Sequence, residues 1–354
     1  MELNFHYHGT YTAAAAAGFS PDEALVIARA AQYVDDCGGE TVQGTGQLIW
    51  KNMLDAIPGR NQEIQTVLTI WPVFHFLPGN FSDIDPYVNP LLRDVSKPHL
   101  QLAPQLICGT ESALTAAIVQ GAKDDYAGSQ DKTKSLQRVG ITMHVLADTF
   151  AHQGFAGIPL SLINEASDVR RAEPGGELEK KRYYPFSYSP ALSSSSFGYL
   201  GHGRIGHLPD QPGETFTYRA AWRNAARDGW ITRYNPLEFY CAYLQMKEAM
   251  EYIRGSGAVF SNAVDRELLL DQRRDEWPRV LPFLEALEKA GSDKGFPAPW
   301  YEAAAPVRRP RDYEPYDAGR EWALRQSFLA AAADHRGLVL GACEALRNYL
   351  ALFS

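Results

Sequence analysis

Apolar side chains recur every three or four positions after Ser20: Ala24, Ile27, Ala28, Ala31 and Val34 fall on one stripe. That is the period of an α-helix with one buried face. Its start is marked three times, by Ser20 as N-cap, Pro21 at the first helical position and Glu23 three residues after the cap. The pattern therefore predicts a helix over Pro21–Asp36, in which Asp35 continues the inward stripe while Asp36 aligns with Gln32 and Arg29. The same reading predicts helices over Ser112–Ala122, Lys134–Gln153, Pro236–Arg254, Val264–Leu287 and Asp317–Leu352. The alanine run within Leu3–Ala17 predicts a short helix closed by Gly18. Alternating, strand-like patterns are scarce, so the expected fold class is all-α, a multi-helix bundle. Residues 154–235, rich in Gly, Pro, Ser and Tyr, are expected to be long loops of the kind that build sites.

With 354 residues, 45% of them hydrophobic and 12% aromatic, the chain can bury a substantial core. Residues 1–235 are expected to form a metal-binding catalytic core, and residues 236–354 a set of C-terminal helices packed on it within the same domain. No window approaches the roughly 20 apolar residues of a membrane span. The Met1–Tyr11 segment lacks the basic start and apolar run of a secretory signal, so a cytoplasmic protein is expected. A net charge of −8 disfavours capture of duplex nucleic acid, which needs a basic stripe. A small-molecule or soluble anionic substrate is expected instead.

The chemistry is concentrated in histidines. His144, Asp148 and His152 repeat at four-residue intervals, which on a helix stacks two imidazoles and a carboxylate along one face. His6 and His8, His75, and His202 with His207 and Asp210 form further short clusters, and Asp35 ends a helix with its carboxylate inward. Imidazole and carboxylate are the donors of catalytic zinc, and four widely spaced cysteines without a Cys-x-x-Cys leave nitrogen and oxygen as the ligands. The donors suffice for two ions or three, with zinc expected and iron or manganese as alternatives. If the segment around His6 is extended, His8 faces the same pocket. Arg204, between His202 and His207, is a candidate to grip a phosphate oxygen through its fork of donors.

The order of an early His, an Asp at a helix end, a His followed by an aromatic, His-x-x-x-Asp followed by His, and a late His with an acid resembles the superfamily of zinc-dependent phospholipase C and fungal single-strand nucleases. FHYHGTYTAAAAAGFSPDEALVIARAAQYVDD with HVLADTFAHQGFAG also looks like a microbial family of unknown function. The resemblance spans roughly residues 1–215. It implies the zinc-dependent phospholipase C fold, with extra C-terminal helices here, and a metal-dependent hydrolase of phosphoesters. Carried over, it gives one zinc to Asp35, His75, His144 and Asp148 and a second to His152, His207 and Asp210, with Asp148 bridging toward a third ion beside His6. In that role Asp35 doubles as base or orients the attacking water. The chain departs from the superfamily, where a processed N-terminal amine is itself a ligand, in having five residues before His6. Asp210 replaces the usual Glu at a shorter spacing, and His8 and His202 have no assured counterparts. An HD-type phosphohydrolase needs an adjacent His-Asp pair that this sequence lacks. A hydrolase or lyase of a non-phosphate small molecule, or a metal-stabilised binding protein, would use the same donors.

Overall fold

At the start of the second helix the Ser20 hydroxyl accepts from the Glu23 amide while the Glu23 carboxylate accepts from the Ser20 amide, a closed capping box that fixes where the chain turns helical. The computed structural model describes residues 1–37, 61–79, 88–94, 96–173, 180–188, 199–224, 229–263, 265–266, 282–287, 296, 300–301, 304, 307–317 and 319–353. A π-helical turn over Asn4–Gly9 runs directly into α1 (Thr10–Ala16), followed by α2 (Pro21–Asp36) and α3 (Asn61–Phe74). After the short α4 (Pro98–Leu102) come α5 (Ala113–Gly128), α6 (Lys132–His152) and the single turn α7 (Ser161–Asn164). The C-terminal part contributes α8 (Asn235–Ile253), α9 (Trp322–Ala342) and α10 (Glu344–Ala351).

The expectation of an all-α protein is overturned between α7 and α8. Strands β1 (Ala166–Ala172), β2 (Tyr183–Pro185), β3 (Thr215–Ala220) and β4 (Trp230–Tyr234) form an antiparallel sheet in the order β2-β1-β3-β4. The fold is mixed, mostly helical with one four-stranded sheet, and residues 154–235 are not simply loops. β1, with the sequence Ala-Ser-Asp-Val-Arg-Arg-Ala, buries only its two ends and carries an irregularity between Ser167 and Arg170, so it offers no alternation to read. The predicted C-terminal helix over Asp317–Leu352 is also two helices, broken where Cys343 turns extended at φ −96° and ψ 92°. There Arg347 reaches back to the carbonyls of Leu340 and Gly341, satisfying the end of α9. The predicted helix over Val264–Leu287 lies largely outside the described residues.

α6 is the axis of the molecule: every residue from Ser135 to His152 is buried. α2, α5, α8 and α9 pack around it, and one hydrophobic cluster runs from Met1 to Tyr349, joining the N-terminal and C-terminal parts in a single core. α2 lies closest because Gly140 of α6 faces Ile27 and Ala30, and a side chain there would meet backbone. Among the described residues no helix is long and apolar enough to cross a membrane.

Candidate metal centre

The four-residue interval places His144, Asp148 and His152 on successive turns of α6, and Asp148 is 1% exposed at the centre of the group. Its Oδ1 lies 3.2 Å from His6 Nε2, and its Oδ2 lies 3.2 Å from His144 Nε2 and 3.3 Å from His75 Nδ1. Each partner arrives by a local device. The α2–α6 crossing at Gly140 delivers Asp35, whose Oδ1 lies 3.8 Å from His144 Nε2 and 3.9 Å from His75 Nδ1. His75 follows the end of α3, which packs so closely on the loop after α6 that a β-carbon on Gly157 would meet the backbone of Trp71 and Pro72. His6 comes from the π-helical turn, its ring stacked on His144 at 3.8 Å.

A second group forms at the other end of this face. His152 Nε2 lies 2.9 Å from Asp210 Oδ1, and His202 Nε2 lies 3.3 Å from Asp210 Oδ2. Both rings are oriented through their other nitrogen: His152 Nδ1 sits 2.5 Å from the His75 carbonyl and His202 Nδ1 2.8 Å from the Gly206 carbonyl. A carbonyl only accepts, so each Nδ1 carries a proton and Nε2 is the nitrogen turned to Asp210, the orientation found in metal-binding imidazoles. Phe76 stacks on His152 at 4.4 Å, and Gly201, at φ +56°, passes beneath Phe76 where any side chain would collide with the ring. Asn235 donates to the carbonyls of Leu208 and Gln211 and so holds the turn that carries Asp210. Arg233 donates to the carbonyls of Phe150 and Gln153, capping α6 at its C-terminus.

These donors fit divalent ions. Zinc ligands at about 2.0 to 2.2 Å in a tetrahedron stand about 3.4 Å from one another, and the donor pairs here lie between 2.9 Å and 3.9 Å apart. Of the ring nitrogens turned toward the cluster, His6 Nε2 is buried without a hydrogen-bond partner, an atom that an ion on this set would satisfy. Three sets emerge, the first two sharing His144: His6, His144 and Asp148; Asp35, His75 and His144; and His152, His202 and Asp210.

The charge states agree. Burial alone would raise the Asp148 carboxyl, but His152, the Met1 ammonium, His144 and His6 outweigh it and hold the group well below the usual carboxylate range. Asp210 is held low in the same way, chiefly by His202. Burial pushes His75 and His202 down to about 4 and holds His6 well below its usual range, the direction that favours the neutral, ligating form of these three rings. Asp35 goes the other way, to about 7, raised by burial and by Asp148. The cleft above holds about 600 Å³ and has an apolar wall of Trp71, Phe76, Tyr188 and Leu200.

Several sequence expectations change place. His202, rather than His207, stands with His152 and Asp210; His207 is 67% exposed at the rim, 3.9 Å from Asp210. His8 is not in the cluster, because two residues along a helical turn point to nearly opposite sides and the segment is not extended. Its Nδ1 lies 2.8 Å from the Tyr301 hydroxyl instead. Arg204 turns toward Glu165, 3.4 Å away, and does not line the cleft. Asp36 borders the cleft but enters none of the donor sets. The Met1 amino group, set aside in the sequence reading because five residues precede His6, lies 2.5 Å from Asp148 Oδ1 and 3.3 Å from Asp210 Oδ1, and Glu2, which that reading did not single out, stands beside His207. The helical winding of the first turn, which brings the chain's start back over α6, was the signal available for both.

No curated protein and no solved structure matches the chain. A family profile does match, over residues 1–342, and the chain belongs to that family, a family of unknown function designated DUF6765.

Proposed function

We propose that the protein is a metal-dependent hydrolase acting on a phosphoester. The observation that carries this reading is the convergence of several nitrogen and oxygen donor sets beneath one cleft, two of them sharing His144 and a third built on His152, His202 and Asp210. A purely structural ion needs one closed set of four ligands, whereas several three-donor sets under a cleft suit a site that handles substrate. The order of the donors along the chain, which resembles that of zinc-dependent phospholipase C, supports the same class.

His6, His144, Asp148, Asp35, His75, His152, His202 and Asp210 would hold the ions. When bound, such ions lower the pKa of water and neutralise charge on a phosphoryl group. Asp35 is the chain's proton acceptor: its side chain keeps 28% of its surface open, and Gln32 Nε2, 3.5 Å from its Oδ2, orients it. The Asp35 carboxylate would take the proton of the attacking water as the new phosphorus–oxygen bond forms and the ester phosphorus–oxygen bond breaks, the departing alkoxide taking a proton from solvent. His152 and His202 present Nε2 toward Asp210 because their Nδ1 protons are fixed on backbone carbonyls. Trp71, Tyr188 and Leu200 offer an apolar wall to the non-phosphate part of the substrate and exclude water from one side.

The test is elemental analysis of the purified protein with a panel of phosphomonoesters, phosphodiesters and phospholipids, repeated after chelation and after reloading with zinc, iron or manganese. At least two ions per chain and a chelator-sensitive activity on one class are expected. A protein that carries no metal and gains none on reloading overturns the proposal.

A further inference from the structure

His207 was expected in the second ion's ligand set and stands outside it, in a fourth convergence of donors at the rim of the cleft. Its Nδ1 lies 3.3 Å from Glu2 Oε1 and 3.9 Å from Asp210 Oδ2, and one donor atom from each residue falls within 4.8 Å of the others. All three residues line the same cleft. We propose that Glu2, His207 and Asp210 form an outer divalent-cation site, which exchanges with solvent while the inner ions stay bound. The inference rests on the metal-centre reading above and adds an ion that does no chemistry in it.

The argument is one of donor chemistry and exposure. Two carboxylates and an imidazole suit zinc, manganese or cobalt, and only three protein donors leave the remaining positions to water. His207 is 67% exposed, against 16% for the His202 side chain, so an ion held there can leave without disturbing the fold. Asp210 links the two sites: Oδ1 points inward to His152, while Oδ2 is shared between His202 at 3.3 Å and His207 at 3.9 Å. An ion on the outer set therefore draws on a carboxylate that the inner set also uses, and it stands at the mouth through which substrate enters. Both effects act in one direction, so excess metal inhibits.

The experiment is calorimetric titration of manganese(II) into the zinc-loaded protein, beside the dependence of phosphoester hydrolysis on added zinc. The wild-type chain is expected to show one weaker binding event beyond its tightly held ions, and inhibition over the same concentration range. Glu2→Gln and His207→Asn should each weaken that event by at least about tenfold and shift the inhibition equally, with the tightly bound metal content unchanged. Because His207 is exposed, its variant is expected to fold even if the one at Glu2 does not. Tightly bound ions with no weaker event, or a weaker event that survives both substitutions, overturn the outer site alone. A wild-type chain that binds no metal overturns the outer site together with the reading on which it rests.

Discussion

Gly140→Ala puts the helix crossing that delivers Asp35 to a direct test. A β-carbon at Gly140 would lie 2.3 Å from the Ile27 carbonyl oxygen, 2.8 Å from Ala30 Cβ and 3.1 Å from Ala31 N. Carbon–oxygen contacts settle no closer than about 3.3 Å, so α2 and α6 must part by about 1 Å at this point. Two energetic effects oppose each other. Alanine is the better helix former by about 1 kcal/mol, while overpacking costs about 1 to 3 kcal/mol. The net loss of stability is then modest, at most about 2 kcal/mol. The geometric effect is larger, because Asp35 rides on α2 and already stands 3.8 Å from His144 Nε2 and 3.9 Å from His75 Nδ1. A misplacement of about 1 Å in such a site costs on the order of 100-fold in rate. Urea midpoint, metal content and hydrolysis measured together decide the matter: a small drop in midpoint with a large loss of bound metal and rate is expected. A raised midpoint with wild-type metal content would show that helix propensity wins and that the close crossing does not position Asp35.

Three further outcomes follow from the same geometry. Asp35→Asn should reduce activity by orders of magnitude and Asp36→Asn only slightly, since Asp35 joins His75 and His144 while Asp36 enters no donor set; steady-state kinetics showing the reverse ranking would mean that the wrong carboxylate has been assigned. Asp148→Asn, or chelation of the wild type, should lower the thermal midpoint, because an ion present at 1,000 times its dissociation constant adds about 4 kcal/mol to the folded state; equal midpoints with and without chelator would refute this. Burial, with Arg138 beside it, holds His335 neutral well below its ordinary range, so the unfolded chain takes up a proton there below about pH 6.5 that the folded chain refuses, and stability falls as the pH falls. His335→Gln should flatten the acid limb of a stability–pH curve by up to about 1.4 kcal/mol per pH unit, and an unchanged slope in urea titrations from pH 7 to pH 5 would sink the assignment.

The parts of the site that lie on helices were legible because helical phase is a strong constraint. His144, Asp148 and His152 share one face by spacing alone, and the same phase separates Asp35 from Asp36. Phase says nothing about loops. The His207-x-x-Asp210 spacing looked like a ligand pair, yet the Leu208–Asp210 turn, with Gly201 and Gly206 at positive φ before it, aims Asp210 back at His202. His8 was misplaced because the segment was read as potentially extended, and the π-helical turn puts it behind His6. The sheet escaped for a different reason. β3 does alternate, with Phe216 and Tyr218 buried and Arg219 exposed, but it is six residues long within a stretch dominated by glycine and proline, and β1 carries no alternation at all.

What the C-terminal part contributes becomes clear from its polar contacts rather than from its apolar helices. The donors of the centre come from five separate segments, and holding them in register needs restraint at each segment's end. Arg233 closes the end of α6, and Asn235 holds the turn that carries Asp210. His335, on α9, donates through Nε2 to the Val73 carbonyl at 3.2 Å, in the last turn of α3, while Arg138 of α6 is hydrogen-bonded to its Nδ1. Because an arginine only donates, Nδ1 must accept and Nε2 must carry the proton, so Arg138 selects the tautomer that can hold Val73. The path runs from α6 through α9 to α3, and two residues beyond Val73 it returns to α6 as His75 meets His144 and Asp148. A closed ring of this kind leaves α3 no freedom to slide along α6 without breaking a buried hydrogen bond. α9 thus acts on the cluster through His335, by fixing the approach of His75.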